Sequence, residues 1–199
     1  MKKFELTAES KINIFGKKLF RIKALISFGD VEEGETGGWI EKEENLEQFF
    51  GNAWVYGNAE VYGNAWVYGN AEVYGNARVY GNAWVSGNAR VSGDAEVSGN
   101  AWVYGNVEVY GNARVSGNAE VSGNADYTTI HGFGTQFRTT TFFQCEDKQI
   151  RVSCGCFLGT IPEFREQVKN TREGKIAEEY LMIADLMEKH FVKEKESGE

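Results

Sequence analysis

The sequence predicts a mainly β protein built around an uninterrupted six-residue repeat. A glycine recurs at every sixth position from Gly51 to Gly123, and Asn follows each of these glycines except at Asp94. Between one Gly-Asn pair and the next, the motif Ala-x-Val-Tyr/Ser alternates inward-type and outward-type residues, the period-2 pattern of a strand with one buried face. The 199 residues include a single proline. Short strands joined by two-residue corners are therefore the expected building blocks.

Each unit begins with Gly-Asn, because these residues tolerate the positive φ that a tight corner needs. Complete units run to Ser122 and a partial unit ends at Asp126. Four strand residues and a two-residue corner resemble the hexapeptide-repeat left-handed parallel β-helix, in which three hexads make one coil. The resemblance implies an interior of Val and Ala and about four regular coils over residues 51–126.

The charges provide an independent test of the coil length. With three hexads per coil, residues in equivalent positions of consecutive coils stack about 4.8 Å apart, and opposite charges alternate in two columns: Glu60-Arg78-Glu96-Arg114 and Glu72-Arg90-Glu108. With two hexads per coil, like charges such as Glu60 and Glu72 would be neighbours and repel. The charge pattern favours three hexads per coil.

Residues 1–50 are interpreted as an N-terminal cap, because the open ends of stacked strands would otherwise pair with another chain. Alternating apolar residues from Phe20 to Phe28 can pair with Lys11–Phe15 through a turn near Gly16, which predicts an antiparallel hairpin. An irregular first coil follows, in which Phe49 is expected to take the position that Val occupies in each hexad. The stretch from Phe28-Gly29-Asp30-Val31 to Gly37-Gly38-Trp39-Ile40-Glu41, with the hexads after it, resembles a group of uncharacterised bacterial and phage hexapeptide-repeat proteins, over about residues 20–126.

Residues 127–199 predict a small α+β module. Two strands are expected to form a hairpin around residues 146–149. In the first strand, alternate residues from Phe137 through Phe143 to Cys145 share one face. In the second strand, alternate residues from Ile150 to Cys156 share a face. Thr160-Ile161-Pro162-Glu163 is a capping box with Pro in the first turn, so a helix begins there. A second amphipathic helix is predicted over Lys175 to Phe191. The last residues, Glu194 to Glu199, are expected to fray.

Composition argues against several classes of function. A net charge of −8 argues against direct binding to nucleic acid or anionic lipid. The sequence lacks the apolar run of about 20 residues that a membrane-spanning helix needs. Three cysteines, an odd number, fit a reducing compartment. We expect a cytoplasmic protein, located in the host cytoplasm if phage-encoded.

The sequence predicts no catalytic residue, no cofactor and no metal site. Many hexapeptide-repeat β-helices are trimeric acyltransferases that use a histidine as general base, but the repeat contains no His. The two histidines, His131 and His190, are interpreted as structural or surface residues. The candidates for a zinc site, all of them weak, are Cys145, Cys154, Cys156 and His131. The cysteines occupy apolar positions of their strands, so buried thiols are the favoured interpretation.

Aromatic residues give the strongest signal of function. Three-hexad coils would place one large set on a single face: Trp66, Trp84, Trp102, Tyr68 and Tyr104. A secondary aromatic face would hold Trp54, Tyr56, Tyr74 and Tyr110, and the Glu/Arg column with Tyr62 and Tyr80 would be a solvated wall. Three interpretations of the first set are open. Its rings stack and do no more than stabilise the coil, or they form a protein interface, or they bind carbohydrate. Trp and Tyr are enriched at interface hot spots, which favours an interface.

These observations lead to the hypothesis of a non-catalytic β-helical scaffold that uses its aromatic face for self-association or for binding a partner protein. By analogy with the fold, a homotrimer is the expected assembly. One alternative is a phage or prophage accessory protein whose acidic rod binds and inhibits a host defence protein. The other alternative is a trimeric acyltransferase-like enzyme.

Overall fold

A computed structural model describes residues 1–191, so the fraying expected for Glu194–Glu199 lies outside the described residues. The chain divides into two compact units, Met1–Asn124 and a second unit that begins at Ala125. The hairpin, the irregular first coil and the repeats belong to the first unit. None of the described helices is long and apolar enough to cross a membrane.

The predicted N-terminal hairpin is confirmed. Strand β1 (Phe4–Ile12) pairs antiparallel with β2 (Lys18–Ala24), and the Asn13 side chain accepts hydrogen bonds from two backbone N–H groups of the turn. Strand β2 ends at Ala24, where the chain bends, so the strand does not reach Phe28. The predicted alternation of burial nevertheless continues, because Ile26 and Phe28 are half-buried and the residues beside them are exposed. Strand β3 (Thr36–Ile40) pairs antiparallel with β2 and parallel with a strand of the repeat, so it joins the hairpin to the coils.

The repeat is a parallel β-solenoid with one two-residue strand per hexad. Within residues 54–121 these strands are β4 (Trp54–Val55), β5 (Glu60–Val61), β6 (Trp66–Val67), β7 (Glu72–Val73), β8 (Arg78–Val79), β9 (Trp84–Val85), β10 (Arg90–Val91), β11 (Glu96–Val97), β12 (Trp102–Val103), β13 (Glu108–Val109), β14 (Arg114–Val115) and β15 (Glu120–Val121). Each strand from β4 to β12 pairs with the strand three hexads further on, as Glu60 does with Arg78. Three hexads per coil are therefore confirmed.

The solenoid has three sheets. The tryptophan sheet contains β6, β9, β12 and β15, and the third sheet contains β4, β7, β10 and β13. The hairpin sheet contains β1, β2 and β3 followed by β5, β8, β11 and β14. The Ala and Val of the hexads from Ala53 to Val121 are at most 2% exposed, so these small residues fill the interior.

Gly and Asn have different roles at the corners. Gly63 has a φ of +72°, and a Cβ at this position would lie 3.1 Å from the Gly81 carbonyl oxygen. Asn does not share this conformation, because the non-glycine residues with positive φ among residues 1–191 are Phe137 and Lys148. The expectation that Asn tolerates positive φ at the corners is wrong. The Asn side chains instead hydrogen-bond to one another along the solenoid.

The first coil has a different register from the one predicted. Ile40 pairs with Val61 and Leu46 with Val67, an offset of three and a half hexads instead of three. A short 3-10 helix, Glu43–Asn45, lies between Ile40 and Leu46. The expectation for Phe49 is wrong: its side chain is 59% exposed, because Leu46 takes the Val position and the chain bulges before Gly51.

The second unit combines an antiparallel sheet with two helices. Its strands are β16 (Tyr127–Phe133), β17 (Arg138–Gln144), β18 (Ile150–Cys154) and β19 (Phe157–Thr160), followed by α1 (Ile161–Thr171) and α2 (Gly174–Phe191). The central hairpin and both helices were predicted; β16 and β19 were not. The predicted capping box is confirmed, since Thr160 N donates to Glu163 Oε2 at 2.7 Å and Thr160 Oγ1 accepts from Glu163 N.

The core of the second unit lies between the sheet and the helices. Its buried residues are Phe142, Val152, Ile161, Phe164, Val168, Tyr180, Ile183, Ala184 and Met187. The face predicted to begin at Phe137 is partly wrong. Phe137 has positive φ and is 72% exposed, while Phe142 of the opposite strand face packs against the helices.

Candidate aromatic interface

The structure brings together the main set of predicted site residues, here called the aromatic face: Trp66, Tyr68, Trp84, Trp102 and Tyr104. The three tryptophans stand in consecutive coils because they are three hexads apart. The Trp84 and Trp102 rings are nearly parallel, with centroids 5.2 Å apart and planes at 3°. Trp66 meets Trp84 edge-on at 6.0 Å and stacks with Tyr68 at 4.2 Å.

Solvent exposure is uneven across the aromatic face. Trp66, Tyr68 and Tyr104 are half-buried, and the Tyr104 hydroxyl donates to Glu120 Oε1 at 2.9 Å. Trp84 and Trp102 are 38% and 49% exposed. Stacking therefore covers part of the face and leaves two adjacent indole rings as its accessible centre.

Two columns of asparagine side chains border the aromatic face. One runs from Asn64 through Asn82 and Asn100 to Asn118, with amide hydrogen bonds of 3.2, 3.0 and 3.1 Å. The other runs through Asn70, Asn88 and Asn106, at 3.1 and 2.8 Å. The interior amides, those of Asn82, Asn100 and Asn88, each donate to the next amide and accept from the previous one. Sequence reasoning missed these ladders, although the near-invariant Asn after each corner Gly was a signal for them.

A third asparagine column shows why the corner residue matters. Asn76 Nδ2 donates to Asp94 Oδ1 at 3.0 Å. A carboxylate has no N–H group, so Asp94 cannot donate onward to Asn112 as an asparagine would. The run of side-chain hydrogen bonds is thus interrupted at Asp94, the one corner where Asp replaces Asn.

The aromatic face carries little charge compared with the other two sides of the solenoid. Its outward column ends with Glu120 and contains no Lys or Arg. The hairpin sheet and the third sheet carry the ion pairs instead: Arg78–Glu96, Arg114–Glu96, Arg90–Glu72 and Arg90–Glu108. Covering the aromatic face would therefore require less desolvation of charge than covering either of the others.

The prediction of a secondary aromatic face is wrong for Trp54, which is buried. Trp54 is 0% exposed, because Phe4 and Phe28 of the cap pack edge-on against its ring at 6.1 and 5.4 Å. Tyr56 and Tyr74 are half-buried, and only Tyr110 is widely exposed, at 60%. This side of the solenoid begins with a core contact, so it does not form a continuous aromatic surface.

The predicted solvated wall is also wrong near the cap. Tyr62 and Tyr80 stack with centroids 5.1 Å apart, and Phe15 from the hairpin turn lies about 6 Å from both rings. Tyr62 is 5% exposed, and burial raises its pKa. Lys11 forms an ion pair with Glu60 at 2.7 Å. The hairpin covers the start of this side as well.

Glu41 links the cap to the solenoid. Its Oε2 accepts a hydrogen bond from Gly63 N at 2.6 Å, and its Oε1 accepts from Lys17 Nζ at 3.2 Å. Burial alone would raise the pKa of this carboxyl, but the hydrogen bonds from Gly63 and Lys17 and the nearby lysine charges lower it overall. The ionised form of Glu41 therefore stabilises the junction.

The weak metal candidates are distributed over the second unit. Cys145 is 3% exposed and burial raises its pKa to about 11. Cys154 is half-buried and accepts a hydrogen bond from Thr140 Oγ1 at 3.2 Å, whereas Cys156 and His131 are exposed. Residues 1–191 contain no group of three or more His, Cys, Asp or Glu side chains arranged to hold a metal ion. The structure provides no geometry for a zinc site in this part of the chain.

Comparison with known proteins adds one match. A family model described as the YdcK beta solenoid repeat matches residues 53–69, 71–87, 83–99 and 109–123. A search of curated proteins finds no match to the chain. The matched segments coincide with the parallel coils.

Proposed function

We propose that this chain, a β-solenoid repeat protein whose coils match the YdcK repeat, is a non-catalytic interaction scaffold that self-associates through its aromatic face. The observation that carries this proposal is the stacked, half-exposed pair of Trp84 and Trp102 in the middle of a sheet. Tryptophan is among the residues that contribute most to binding at interface centres. The asparagine ladders on both sides supply a polar border, as the rim of an interface does.

A second copy of the chain is the proposed occupant of the aromatic face. The chain is acidic, with a net charge of −8, so two copies can approach closely only where the negative charge is low. The aromatic face is such a place, because Glu120 is the one charged residue of its outward column and accepts a hydrogen bond from Tyr104. A homotrimer, expected from the fold resemblance, is the proposed assembly.

Light scattering during gel filtration tests this proposal. The wild-type chain is expected to have the mass of an oligomer, and the double variant Trp84→Ser/Trp102→Ser the mass of one chain. Trp66 stays unchanged, because it is half-buried and its loss would perturb the coil itself. Tyr110→Ser is the matched control, since it removes an aromatic side chain that is 60% exposed outside the tryptophan sheet.

The masses decide the outcome. A trimer that only the double variant dissociates supports the proposal, and a dimer that only the double variant dissociates supports the aromatic face as the interface but contradicts the homotrimer. A monomeric wild-type chain at about 50 μM, above the Kd expected of a specific interface, contradicts it. An oligomer of unchanged mass in the double variant contradicts it as well. The accessory-protein and acyltransferase-like hypotheses stay predictions.

A further inference from the structure

The second unit contains a cleft of about 110 Å³. Apolar side chains of Phe157, Phe164 and Tyr180 line its inner part, beside the Cys154 thiol. Arg138 and Arg172 lie at its rim. A wider, more open depression shares both arginines and adds Lys169 and Glu173. The cleft is therefore aromatic inside and positively charged at its opening.

The two arginines at the rim differ from the others in the chain. Of the eight arginines in the sequence, six form ion pairs with carboxylates: Arg21, Arg78, Arg90, Arg114, Arg151 and Arg165. Within the described residues, Arg138 and Arg172 form no ion pair with a carboxylate, and both line this cleft. In a chain with 29 acidic residues, two unpaired guanidinium groups at one site indicate a place for an external anion.

The backbone beside the cleft binds one of the guanidinium groups and leaves room for the other. Arg172 Nη1 donates to the Thr171 carbonyl oxygen at 2.8 Å. Gly155 has a φ of +62°, and a Cβ there would lie 2.6 Å from Arg138 Nη1, so the absence of a side chain makes room for Arg138. Burial raises the pKa of Tyr180, while Arg172 and Arg138 both act to lower it, which places the two charges within electrostatic range of one hydroxyl.

We propose that this cleft binds a small molecule that carries a phosphate monoester. Two guanidinium groups can each donate to phosphate oxygens, and the phosphate charge of about −1.5 to −2 matches them better than the single charge of a carboxylate. Lys169 and Glu173 both line the adjoining depression, where their charges offset each other, so the two arginines supply the net positive charge. The organic part of the ligand packs against Phe157, Phe164 and Tyr180. This site is separate from the aromatic face of the first unit and does not depend on self-association.

Isothermal titration with phenyl phosphate tests the proposal. The full-length wild-type chain is expected to bind one phenyl phosphate, and Arg138→Gln and Arg172→Gln are each expected to weaken binding about tenfold or more, because a charge-assisted hydrogen bond is lost. Arg165→Gln is the matched control: it removes the same charge from α1, but Arg165 faces Asp185 and Glu188 of α2. This control is expected to bind like the wild type.

Two further arms keep the test decisive. Arg138→Lys and Arg172→Lys retain the charge and lose the planar fork, so intermediate affinities are expected even if a Gln variant fails to fold. Benzoate has the same ring with a carboxylate and is expected to bind at least about tenfold more weakly. The absence of saturable binding, equal affinity for benzoate, or unchanged affinity in folded Arg138 and Arg172 variants would each overturn the proposal.

Discussion

Replacement of Trp54 tests how the cap closes the solenoid. Its side chain is fully buried against Phe4 and Phe28. Burial of about 150–250 Å² of aromatic surface contributes about 4–6 kcal/mol at about 25 cal/mol per Å². The indole Nε1 has no hydrogen-bond partner, which offsets about 1–3 kcal/mol. Trp54→Ala is therefore expected to lower the free energy of unfolding by about 3 kcal/mol.

Denaturation by guanidinium chloride, followed by tryptophan fluorescence, measures this loss. All five tryptophans lie in residues 1–124, so the signal reports on the first unit. Trp54→Phe keeps a ring and removes the unpaired N–H, so a loss of at most about 1 kcal/mol is expected. Trp102→Ala, at a side chain 49% exposed, should cost about 2 kcal/mol, because about half as much aromatic surface is buried. Equal losses in Trp54→Ala and Trp102→Ala would refute the assignment of Trp54 to the core.

Three further predictions concern the corners, the junction and the thiols. Asp94→Asn is expected to raise the free energy of unfolding by about 0.5 kcal/mol, because it lets the third ladder continue; a loss of stability in chemical denaturation contradicts this role. The lowered pKa of Glu41 means that its contribution is complete above pH 4.5 and is lost as the pH falls through the folded-state pKa. Glu41→Gln should therefore flatten the acid side of the stability curve, and an unchanged acid side argues against the junction. Iodoacetamide at about pH 8 should modify exposed Cys156 first and Cys145 last, because burial raises the Cys145 pKa to about 11; equal rates by mass spectrometry contradict the burial of Cys145.

The regular coils could be predicted because the information is repeated in every hexad. Each Val and Ala has an equivalent in the neighbouring coil, and the alternation of Glu60, Arg78 and Glu96 selects one coil length. The start of α1 was equally accessible, because its capping box lies within four consecutive residues around Thr160. Local and periodic signals of this kind do not depend on the rest of the fold.

The environments of the misassigned residues depend on contacts with parts of the chain outside the hexads. Trp54 and Trp66 occupy equivalent positions in their hexads, but only Trp54 is covered by the cap, through Phe4 near the start of the chain. Phe49 has the spacing of a repeat Val, but Leu46 takes that position because the first coil is half a hexad longer. A sequence pattern shows neither the insertion nor the cap that lies over a coil.

The candidate sites show the same division. The column of Trp66, Trp84 and Trp102 followed from the spacing, whereas the degree of exposure of each ring depended on stacking. The cleft of the second unit was not predicted, because the distinction of Arg138 and Arg172 from the other arginines lies in their lack of carboxylate partners within the described residues. Ion pairing between distant residues is a property of the folded chain.

Hydroxyl-radical footprinting of the wild-type chain at low and high protein concentration tests the central claim most directly. Mass spectrometry of the peptides reports the oxidation of Trp84 and Trp102, with exposed Tyr110 as the internal reference. Self-association through the aromatic face predicts that both tryptophans become protected as the concentration rises, while Tyr110 is oxidised at a constant rate. Oxidation of Trp84 and Trp102 at the same rate in the monomer and in the oligomer would contradict the account.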